Sequence, residues 1–184
     1  KDLALTLEAD GDGVVRWWVD ASFAIHPNMR SHTGAVLSLG KGAVYGMSNK
    51  QKINTKSSCE AELVGVDDAL PMVLWTVQFL KAQGFKVADN VVYQDNQSSI
   101  LLEKNGTRSS GRRTRHLNIR YFFITDRVDK KEVRIEYCPT EVMRADPHTK
   151  ALQGRLFREH RDWLLNIAAS PAVELQECVG SQLR

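Results

Sequence analysis

Four carboxylates are the side chains of this chain best placed to do chemistry. Asp20 and Asp95 each close an apolar run that is typical of a β-strand. Glu62 lies in the first turns of a segment with helical periodicity, and Asp146 lies at a predicted junction between a loop and a helix. If the four converge, their repulsion raises their pKa values, and hard divalent ions such as Mg²⁺ or Mn²⁺ relieve it. Two such ions about 4 Å apart are the arrangement that hydrolyses phosphodiesters, so the pattern favours a nuclease.

The elements that must position these carboxylates follow the order β-β-β-α-β-α-α-β-α along the chain. The predicted strands cover residues 14–20, 33–39, 43–48, 91–94 and 132–138. The first three are joined by short connections, including a glycine-rich turn at 40–42, and predict an antiparallel meander. The last two follow helical crossovers and are expected to pair in parallel. The sequence therefore predicts an α/β fold with a five-stranded mixed sheet and helices on both of its faces.

The first helix is predicted from apolar residues that recur at helical spacing between Leu63 and Leu80. Ser57 and Glu60 have the spacing of a capping box at its start. Pro71 lies inside the pattern and is expected to kink or break the helix, because proline lacks a backbone N–H. Later helices are predicted near 97–103, over 116–129, from about 142, and over 156–167.

Four tryptophans bear on where the core lies. Trp17 and Trp18 are adjacent on a predicted strand, so one of them should face each side of the sheet. Trp75 and Trp163 lie in predicted helices and are expected to be core residues, since tryptophan is highly buried on average.

The composition is that of one folded domain: 184 residues, 42% hydrophobic and 26% charged. The predicted boundaries are a lead-in at 1–13, the domain at 14–168 and a mobile tail at 169–184. No stretch is long and apolar enough to predict a membrane span, and no signal peptide is visible at the N-terminus. Three cysteines without the spacing of a metal site fit a reducing compartment.

The net charge of +3 is unevenly distributed along the chain. The segment Lys104–Arg120 contains six basic residues and no acidic one, so the remaining 167 residues carry 3 − 6 = −3. A basic stretch within an otherwise slightly acidic chain indicates local contact with phosphates rather than a generally adhesive surface.

Five short segments, taken in order, resemble a known family. They are Trp17-Trp18-Val19-Asp20-Ala21-Ser22, Ser57-Ser58-Cys59-Glu60-Ala61-Glu62-Leu63, Tyr93-Gln94-Asp95-Asn96, Arg115-His116-Leu117-Asn118-Ile119-Arg120-Tyr121, and Ala145-Asp146 followed by Thr149-Lys150. Each segment alone is a weak signal. In this order, and on this strand–helix framework, the chain resembles the ribonuclease H domain of copia-type LTR retrotransposon reverse transcriptases over about residues 14–168.

The resemblance implies a ribonuclease H-like fold and an endonuclease that hydrolyses the RNA strand of RNA–DNA hybrids with two Mg²⁺ ions, for which Mn²⁺ can substitute. The catalytic and metal-binding roles carry over to Asp20, Glu62, Asp95 and Asp146. Asp20 would bridge both ions, and Asp146 would hold the ion on the side of the attacking water. Glu62 and Asp95 would hold the ion at the leaving group. Glu62 is preferred to Glu60 because of its Ala-Glu-Leu context, and residues two apart on a helix point to different faces.

The resemblance also suggests substrate contacts, namely Ser22, Asn96, Arg112, Arg113, Arg115 and His116. Ser22 and Asn96 adjoin catalytic acids and would contact 2′-hydroxyls or the backbone of the hybrid. The arginines would contact the phosphates of the DNA strand, with a solvated loop as the alternative. For His116, a structural role at the start of a helix is the alternative. The implied partners are the RNA–DNA hybrid and a polymerase domain in the same polyprotein, in a cytoplasmic virus-like particle or in the nucleus.

Two departures from the family pattern leave other functions open. The loop at 139–145 contains no histidine ahead of Asp146, and Pro147-His148 replaces the usual apolar pair, which places an unexpected histidine near the predicted metals. One alternative is a co-opted module that binds nucleic acid or a protein partner without cutting. Another is a fragment that needs its polymerase domain for substrate affinity. Integrases and resolvases share the fold, but the glutamate on the first helix favours a member that cleaves hybrids.

Overall fold

The computed structural model describes residues 3–105 and 118–167, and the predicted tail at 169–184 lies outside these ranges. Seven strands and four α-helices occur in the described part of the chain. The strands are β1 (Glu8–Ala9), β2 (Val14–Ser22), β3 (His32–Ser38), β4 (Gly40–Lys41), β5 (Tyr45–Lys50), β6 (Asp89–Gln94) and β7 (Arg134–Tyr137). The helices are α1 (Ser58–Ala82), α2 (Gln97–Asn105), α3 (Asn118–Asp129) and α4 (Gly154–Leu165).

The main sheet has five strands in the order β5-β3-β2-β6-β7. The pairs β5–β3 and β3–β2 are antiparallel, whereas β2–β6 and β6–β7 are parallel, so the predicted mixed sheet is confirmed. The register pairs Trp18 of β2 with Tyr93 of β6. Asp20 lies two residues after Trp18, and Asp95 lies two residues after Tyr93. Adjacent parallel strands run in the same direction, so their carboxyl ends lie at the same edge of the sheet. The topology therefore brings these two carboxylates together.

The sheet separates two apolar clusters, as the alternation of side chains along β2 requires. Trp17 packs in the larger cluster, with residues of α1, α2 and α3. Trp18 packs in the smaller one, where its ring lies 5.0 Å from the ring of Trp163 of α4. The two tryptophans are 0% and 3% exposed. Helices on both faces of the sheet are thereby confirmed, as is the opposite orientation of the two tryptophans.

Helix α1 runs without interruption from Ser58 to Ala82, although Pro71 lies inside it. The expectation that Pro71 breaks the helix is wrong. Pro71 lies on the exposed side, while Leu70 and Val73 beside it are buried in the larger cluster. Packing of the buried face outweighs the loss of one backbone hydrogen bond on the solvent side.

Trp75 is not a core residue, contrary to the expectation from its size. It is 55% exposed, and its ring stacks on that of Phe79 at a centroid distance of 5.0 Å. The face of α1 that meets the sheet is already filled by smaller side chains such as Leu63, Val66 and Leu70. Trp75 therefore lies on the outer face of the helix.

The expectation that no stretch is long and apolar enough to span a membrane is wrong for α1. Its length and composition are sufficient to cross a membrane, and half of its most apolar 18-residue window is buried inside the fold. Within the described ranges it is the one helix with these properties. That burial is as expected for the central helix of a packed domain.

The helix predicted from about residue 142 does not form. Two short 3₁₀ turns, Thr140–Val142 and Asp146–His148, take its place. Between them Met143 and Ala145 are both fully buried against Trp18 and Val36. The N–H of Asp146 donates to the carbonyl of Met143 three residues back (3.2 Å). The N–H of His148 donates to the carbonyl of Ala145 (2.9 Å). The chain therefore makes tight turns here, and Asp146 starts a single 3₁₀ turn instead of a long helix.

The lead-in at 1–13 is in contact with the domain along part of its length. Strand β1 pairs with β4 in a separate two-stranded sheet. In addition, the backbone N–H of Thr6 donates a hydrogen bond to the carbonyl of Leu165 at the end of α4 (3.0 Å). The sequence periodicity did not predict this small second sheet.

Candidate metal centre

Three of the four predicted carboxylates converge at one end of the sheet. Asp20 lies on β2, Asp95 directly follows β6, and Glu62 lies in the second turn of α1, which packs across β2. One carboxylate oxygen from each lies within 4.8 Å of the other two. Asp20 is 1% exposed and Glu62 is 5% exposed. Oxygen ligands in this number and at this spacing are the donor set of a hard divalent cation.

The electrostatics of the three acids call for a cation. Burial raises the pKa of Glu62 well above its ordinary value, and the carboxylates of Asp20 and Asp95 raise it further. Burial also raises the pKa of Asp20. The Oε2 atom of Glu62 is buried and has no hydrogen-bond partner among the described residues. An orphaned, buried carboxylate oxygen beside two other carboxylates fits a metal ion, which supplies the missing positive charge.

The structure separates Glu62 from its neighbour Glu60. Ser57 caps α1 by accepting a hydrogen bond from the N–H of Glu60 (3.2 Å). The Glu60 carboxylate in turn accepts one from the backbone N–H of Lys56 (2.7 Å). The serine half of the predicted capping box is thus confirmed, while the Glu60 carboxylate binds the N–H one residue before the N-cap. Glu60 is occupied at the start of the helix, and Glu62 is the acid that faces Asp20 and Asp95.

Asp146, the fourth predicted acid, is held differently. Its Oδ1 accepts a hydrogen bond from Nζ of Lys150 at 2.8 Å, and the same ammonium lies 3.5 Å from Oδ2 of Asp20. The hydroxyl of Thr149 donates to that Asp20 oxygen as well. Asp146 therefore joins the site through Asp20 and an internal cation, and lies outside the group of three whose oxygens approach within 4.8 Å.

Lys150 places a positive charge between Asp20 and Asp146, the two acids to which the family resemblance assigns the ion beside the attacking water. Burial opposes its charge, but its hydrogen bond with Asp146 and the charge of Asp20 raise its pKa overall. In the same way Lys150 offsets part of the rise that burial causes in the pKa of Asp146. The ammonium stabilises the two carboxylates without a metal and competes with a metal for them.

Replacing Lys150 with methionine is expected to strengthen the binding of Mn²⁺ about tenfold, equivalent to roughly 1.4 kcal/mol. The same change should lower the free energy of unfolding of the metal-free protein by on the order of 2 kcal/mol, because a hydrogen bond between charged groups is lost. Titration calorimetry and thermal denaturation measure the two effects. Lys150→Arg is the matched control, since it keeps the charge. Equal or weaker Mn²⁺ binding by Lys150→Met would contradict the competition.

The segment 145–149 lies unusually close to the sheet because of a glycine. Gly34 of β3 is the register partner of Asp20. A Cβ atom on Gly34 would lie 2.7 Å from Cγ2 of Thr149, 2.9 Å from Cβ of His148 and 3.1 Å from the carbonyl oxygen of Ala145. These distances are too short for van der Waals contact, so a glycine at this position lets the fourth acid and its lysine approach Asp20.

Gly34→Ala is therefore expected to displace the segment that carries Asp146, at a cost of about 1–3 kcal/mol in stability from overpacking. The nuclease activity expected from the sequence should fall about 10²-fold, because a displacement of about 1 Å in a catalytic group has an effect of this size. The control is Gly65→Ala in α1, where a Cβ would meet nothing closer than 3.6 Å. That variant should keep its activity, and equal activity in both variants would show that the close approach is unimportant.

The predicted substrate contacts are described only in part. The hydroxyl of Ser22 donates to the carbonyl of Thr149 (3.0 Å), and Oδ1 of Asn96 accepts from the N–H of Ser99 at the start of α2 (3.0 Å). Both side chains thus position backbone near the acids, and their contact with substrate stays a prediction. The remaining candidates, Arg112, Arg113, Arg115 and His116, lie outside the described residues.

His148 does not join the carboxylates, although the sequence placed it near the predicted metals. Its ring lies against β5, with Nε2 only 2.6 Å from where a Cβ of Gly46 would be. Burial lowers the pKa of this histidine, which favours its neutral form. Its backbone carbonyl accepts a hydrogen bond from the hydroxyl of Ser48 (2.7 Å). His148 therefore packs at the edge of the sheet instead of binding a metal.

Several residues of the site were not assigned roles from the sequence. Thr149 and Lys150 were part of the family motif but carried no chemical role, and Gly34 carried none either. Thr140 was also missed, and its hydroxyl donates to Oδ2 of Asp95 (2.8 Å). A lysine four residues after a predicted acid is the one signal that could have indicated an ion pair in advance.

Comparison of the sequence identifies relatives among mobile elements. The chain is 31% identical over 147 residues to the retrovirus-related Pol polyprotein of transposon TNT 1-94 from Nicotiana tabacum, a match that covers 79% of the chain. It is 30% identical over 129 residues to the Pol polyprotein of transposon RE1 from Arabidopsis thaliana, covering 70% of the chain. The chain spans about a tenth of the length of these relatives, 11% and 9%. No family model matches it.

Comparison of the structure identifies the fold. The ribonuclease H1 named LC11, isolated from compost by a metagenomic approach, matches with a TM-score of 0.55 at 15% identity, covering 74% of this chain and 92% of that one. The same enzyme in complex with an RNA/DNA hybrid matches with a TM-score of 0.51 at 18% identity, covering 72% and 91%. Sequence kinship confirms the predicted family and the structure confirms its fold: the chain belongs to the Pol polyproteins of retrotransposons and has the fold of ribonuclease H.

Proposed function

We propose that this domain is a ribonuclease H that hydrolyses the RNA strand of RNA–DNA hybrids during the reverse transcription of its element. The observation that carries the proposal is the convergence of Asp20, Glu62 and Asp95, whose oxygens lie within 4.8 Å of one another in a buried site with an orphaned oxygen. A structure of similar fold was solved with an RNA/DNA hybrid, and the sequence relatives are Pol polyproteins, which supports this substrate.

The carboxylates would hold two divalent ions, Mg²⁺ by preference, with Mn²⁺ as a substitute. Asp20, Glu62 and Asp95 would hold the ion at the leaving group, and Asp20 with Asp146 the ion beside the attacking water. When bound, such ions lower the pKa of the attacking water and stabilise charge on the 3′ oxygen that leaves. The rigid ends of β2 and β6 fix Asp20 and Asp95, so the protein contributes position and charge, with no covalent intermediate.

Supporting residues keep these carboxylates in place. Thr140 donates a hydrogen bond to Asp95, and Thr149 donates one to Asp20. Each bond leaves other lone pairs of the carboxylate free to bind a cation, and each fixes the rotation of the group. Ser22 anchors Thr149 through its carbonyl, so the serine predicted to touch substrate also orients the central acid.

A co-opted binding module is the second candidate function, and one observation favours it. The ammonium of Lys150 already neutralises part of the charge of Asp20 and Asp146, so the fold does not depend on metal at this position. Such a module would bind hybrid through the basic segment that begins at Lys104 and would leave the RNA intact. Its binding would weaken steeply with salt, as for any protein that displaces counterions from phosphates.

Cleavage of a panel of end-labelled duplexes distinguishes the two functions. The substrates are an RNA–DNA hybrid, double-stranded RNA and double-stranded DNA of one sequence, each with Mg²⁺ or Mn²⁺. Cutting confined to the RNA strand of the hybrid is the expected result. Salt-sensitive binding of the hybrid with every strand intact, at all protein concentrations and with both metals, would establish the binding module.

A further inference from the structure

A buried carboxyl group outside the metal centre has no role in the chemistry described so far. Glu103, on α2, is 0% exposed. Its Oε1 accepts a hydrogen bond from the hydroxyl of Ser99 (2.9 Å), whereas its Oε2 has no partner among the described residues. Glutamate is almost never fully buried unless it is paired, because the loss of hydration is costly. The surroundings of this carboxyl group must therefore offset the cost of burying it.

The position of Glu103 connects it with the metal centre through one amide. The side chain of Gln94 is also 0% exposed, and its amide lies close enough to the Glu103 carboxyl to lower the pKa of that group. Gln94 is the last residue of β6 and directly precedes Asp95. Its Nε2 donates to the backbone carbonyl of Glu62 at 3.3 Å. The Gln94 amide therefore contacts the turn of α1 that carries Glu62, and Gln94 is the residue directly before Asp95.

Glu103 is itself fixed from two sides. Ser99 lies one turn before it on α2, and that turn begins at Asn96, whose Oδ1 accepts the N–H of Ser99. The backbone carbonyl of Glu103 accepts a hydrogen bond from the hydroxyl of Thr125 on α3 (2.9 Å). The side chain of Glu103 is thus held by α2 and its backbone by α3, which makes the residue a rigid support for the groups that it touches.

We propose that Glu103 is a positioning residue for the metal centre: through Gln94 it sets the distance between the carboxylates of Glu62 and Asp95. The proposal rests on the proposed function, because it assigns Glu103 a role only if these carboxylates bind metal. Groups that orient metal ligands from behind typically change metal affinity about 10- to 100-fold when they are removed.

The chemical form of Glu103 suggests a matched substitution. Burial raises the pKa of this carboxyl to about 8, so it is largely protonated at neutral pH. The amide oxygen of Gln94 and Oε2 of Glu103 are both buried hydrogen-bond acceptors without a partner among the described residues. A proton on the Glu103 carboxyl converts one of these acceptors into a donor, which reduces the number of unsatisfied acceptors. Glutamine has nearly the shape of a protonated glutamate and also carries a donor and an acceptor. Leucine has a similar volume and carries neither.

The test compares Mn²⁺ binding by the unsubstituted chain with that of Glu103→Gln and Glu103→Leu, measured by titration calorimetry at pH 7. Glu103→Gln should bind Mn²⁺ within about twofold of the unsubstituted chain, whereas Glu103→Leu should bind at least about tenfold more weakly. Circular dichroism and thermal denaturation identify any loss of fold. Mn²⁺ affinity that is unchanged in Glu103→Leu, or reduced equally in both variants, would overturn the proposal.

A double-substitution cycle tests whether Glu103 acts through Gln94. Gln94→Met should weaken Mn²⁺ binding to a similar extent, and the double variant with Glu103→Leu should be no worse than Gln94→Met alone. Fully additive losses would contradict an action through the amide. If Glu103→Leu does not fold, Ser99→Ala provides the same comparison, because it removes the hydroxyl that holds the carboxyl and should weaken Mn²⁺ binding by a smaller factor.

The outcomes separate this proposal from the proposed function. Asp95→Asn removes a ligand and should abolish strong Mn²⁺ binding whether or not Glu103 matters. If Asp95→Asn binds Mn²⁺ as the unsubstituted chain does, the metal centre itself is wrong. If Asp95→Asn loses Mn²⁺ while Glu103→Leu retains full affinity, the metal centre stands and the positioning role of Glu103 is refuted.

Discussion

Asp20→Asn is expected to reduce hydrolysis of the RNA strand of a hybrid by about 10³-fold, since removal of one electrostatic group from an active site typically costs about 10²- to 10³-fold and Asp20 would serve both ions. Asp20 is the acid that faces all the others: Glu62 and Asp95 lie within 4.8 Å, and Lys150 links it with Asp146. The rate of product formation at saturating Mg²⁺ measures the effect.

The matched control is Glu60→Gln, which changes an acid two residues from Glu62. The Glu60 carboxylate accepts the N–H of Lys56, and a glutamine amide can accept the same bond. Hydrolysis by Glu60→Gln should therefore stay within about twofold of the unsubstituted rate. If Asp20→Asn keeps more than a tenth of the activity, the carboxylate site is not the catalytic centre.

Activity and stability should move in opposite directions in Asp20→Asn. The carboxylate is 1% exposed and adds to the charge that raises the pKa of Glu62. Replacing it with a neutral side chain of the same shape removes this repulsion, and Thr149 can still donate to the amide oxygen. We expect the metal-free variant to be at least as stable as the unsubstituted protein in thermal denaturation. A site that is strained for function shows this behaviour, whereas a structural acid does not.

The second large effect is the change of the free energy of unfolding with pH, which should differ between the metal-free and the metal-bound protein. Burial and mutual repulsion raise the pKa values of Glu62, Asp20 and Asp146 in the folded protein, and burial raises that of Glu103 to about 8. Between the ordinary values of 3.8 to 4.5 and these raised values, the folded state holds more protons than the unfolded state. The lowered pKa values of His148 and His160 act in the opposite direction up to their ordinary value of 6.5. The free energy of unfolding of the metal-free protein should therefore fall as pH rises from about 6.5 towards 8, where only the acids with raised pKa values still titrate.

Mg²⁺ should reverse this trend, because it binds the ionised carboxylates of the folded state. At a hundredfold excess over the dissociation constant, the gain is about 2.7 kcal/mol, or about 5–10 °C in the melting temperature of a protein of this size. The gain should grow from pH 5 to pH 8 and disappear in Asp95→Asn. Denaturation scans in EDTA and in Mg²⁺ across this range measure it. A metal-free protein whose stability rises steadily from about pH 6.5 to pH 8 would contradict the arrangement of charges.

The sequence was informative wherever one residue type has one physical role. The alternation of Trp17 and Trp18 predicted the two faces of the sheet, and the ends of two apolar runs predicted that Asp20 and Asp95 would meet. These predictions hold because strand periodicity and parallel pairing leave little freedom. The choice of Glu62 over Glu60 followed from its Ala-Glu-Leu context in the family and from the helical period, which turns residues two apart to different faces.

The predictions that were wrong depend on packing that no local pattern records. Pro71 is tolerated in α1 because the opposite face is buried, and Trp75 is exposed because that face is already full. The segment after Val142 forms short turns instead of a helix, with Met143 and Ala145 buried against the sheet. The internal cation at Lys150 and the close approach at Gly34 required the tertiary structure, since each joins segments more than 100 residues apart in the chain.

The most direct measurement is the cleavage of a labelled RNA–DNA hybrid by the intact chain and by Asp95→Asn, each with Mg²⁺, with Mn²⁺ and with EDTA. The account predicts that the intact chain cuts the RNA strand only when metal is present, and that Asp95→Asn does not cut it with either ion. Hybrid that stays intact at every protein and metal concentration, or RNA that Asp95→Asn cuts as fast as the intact chain, would contradict the account.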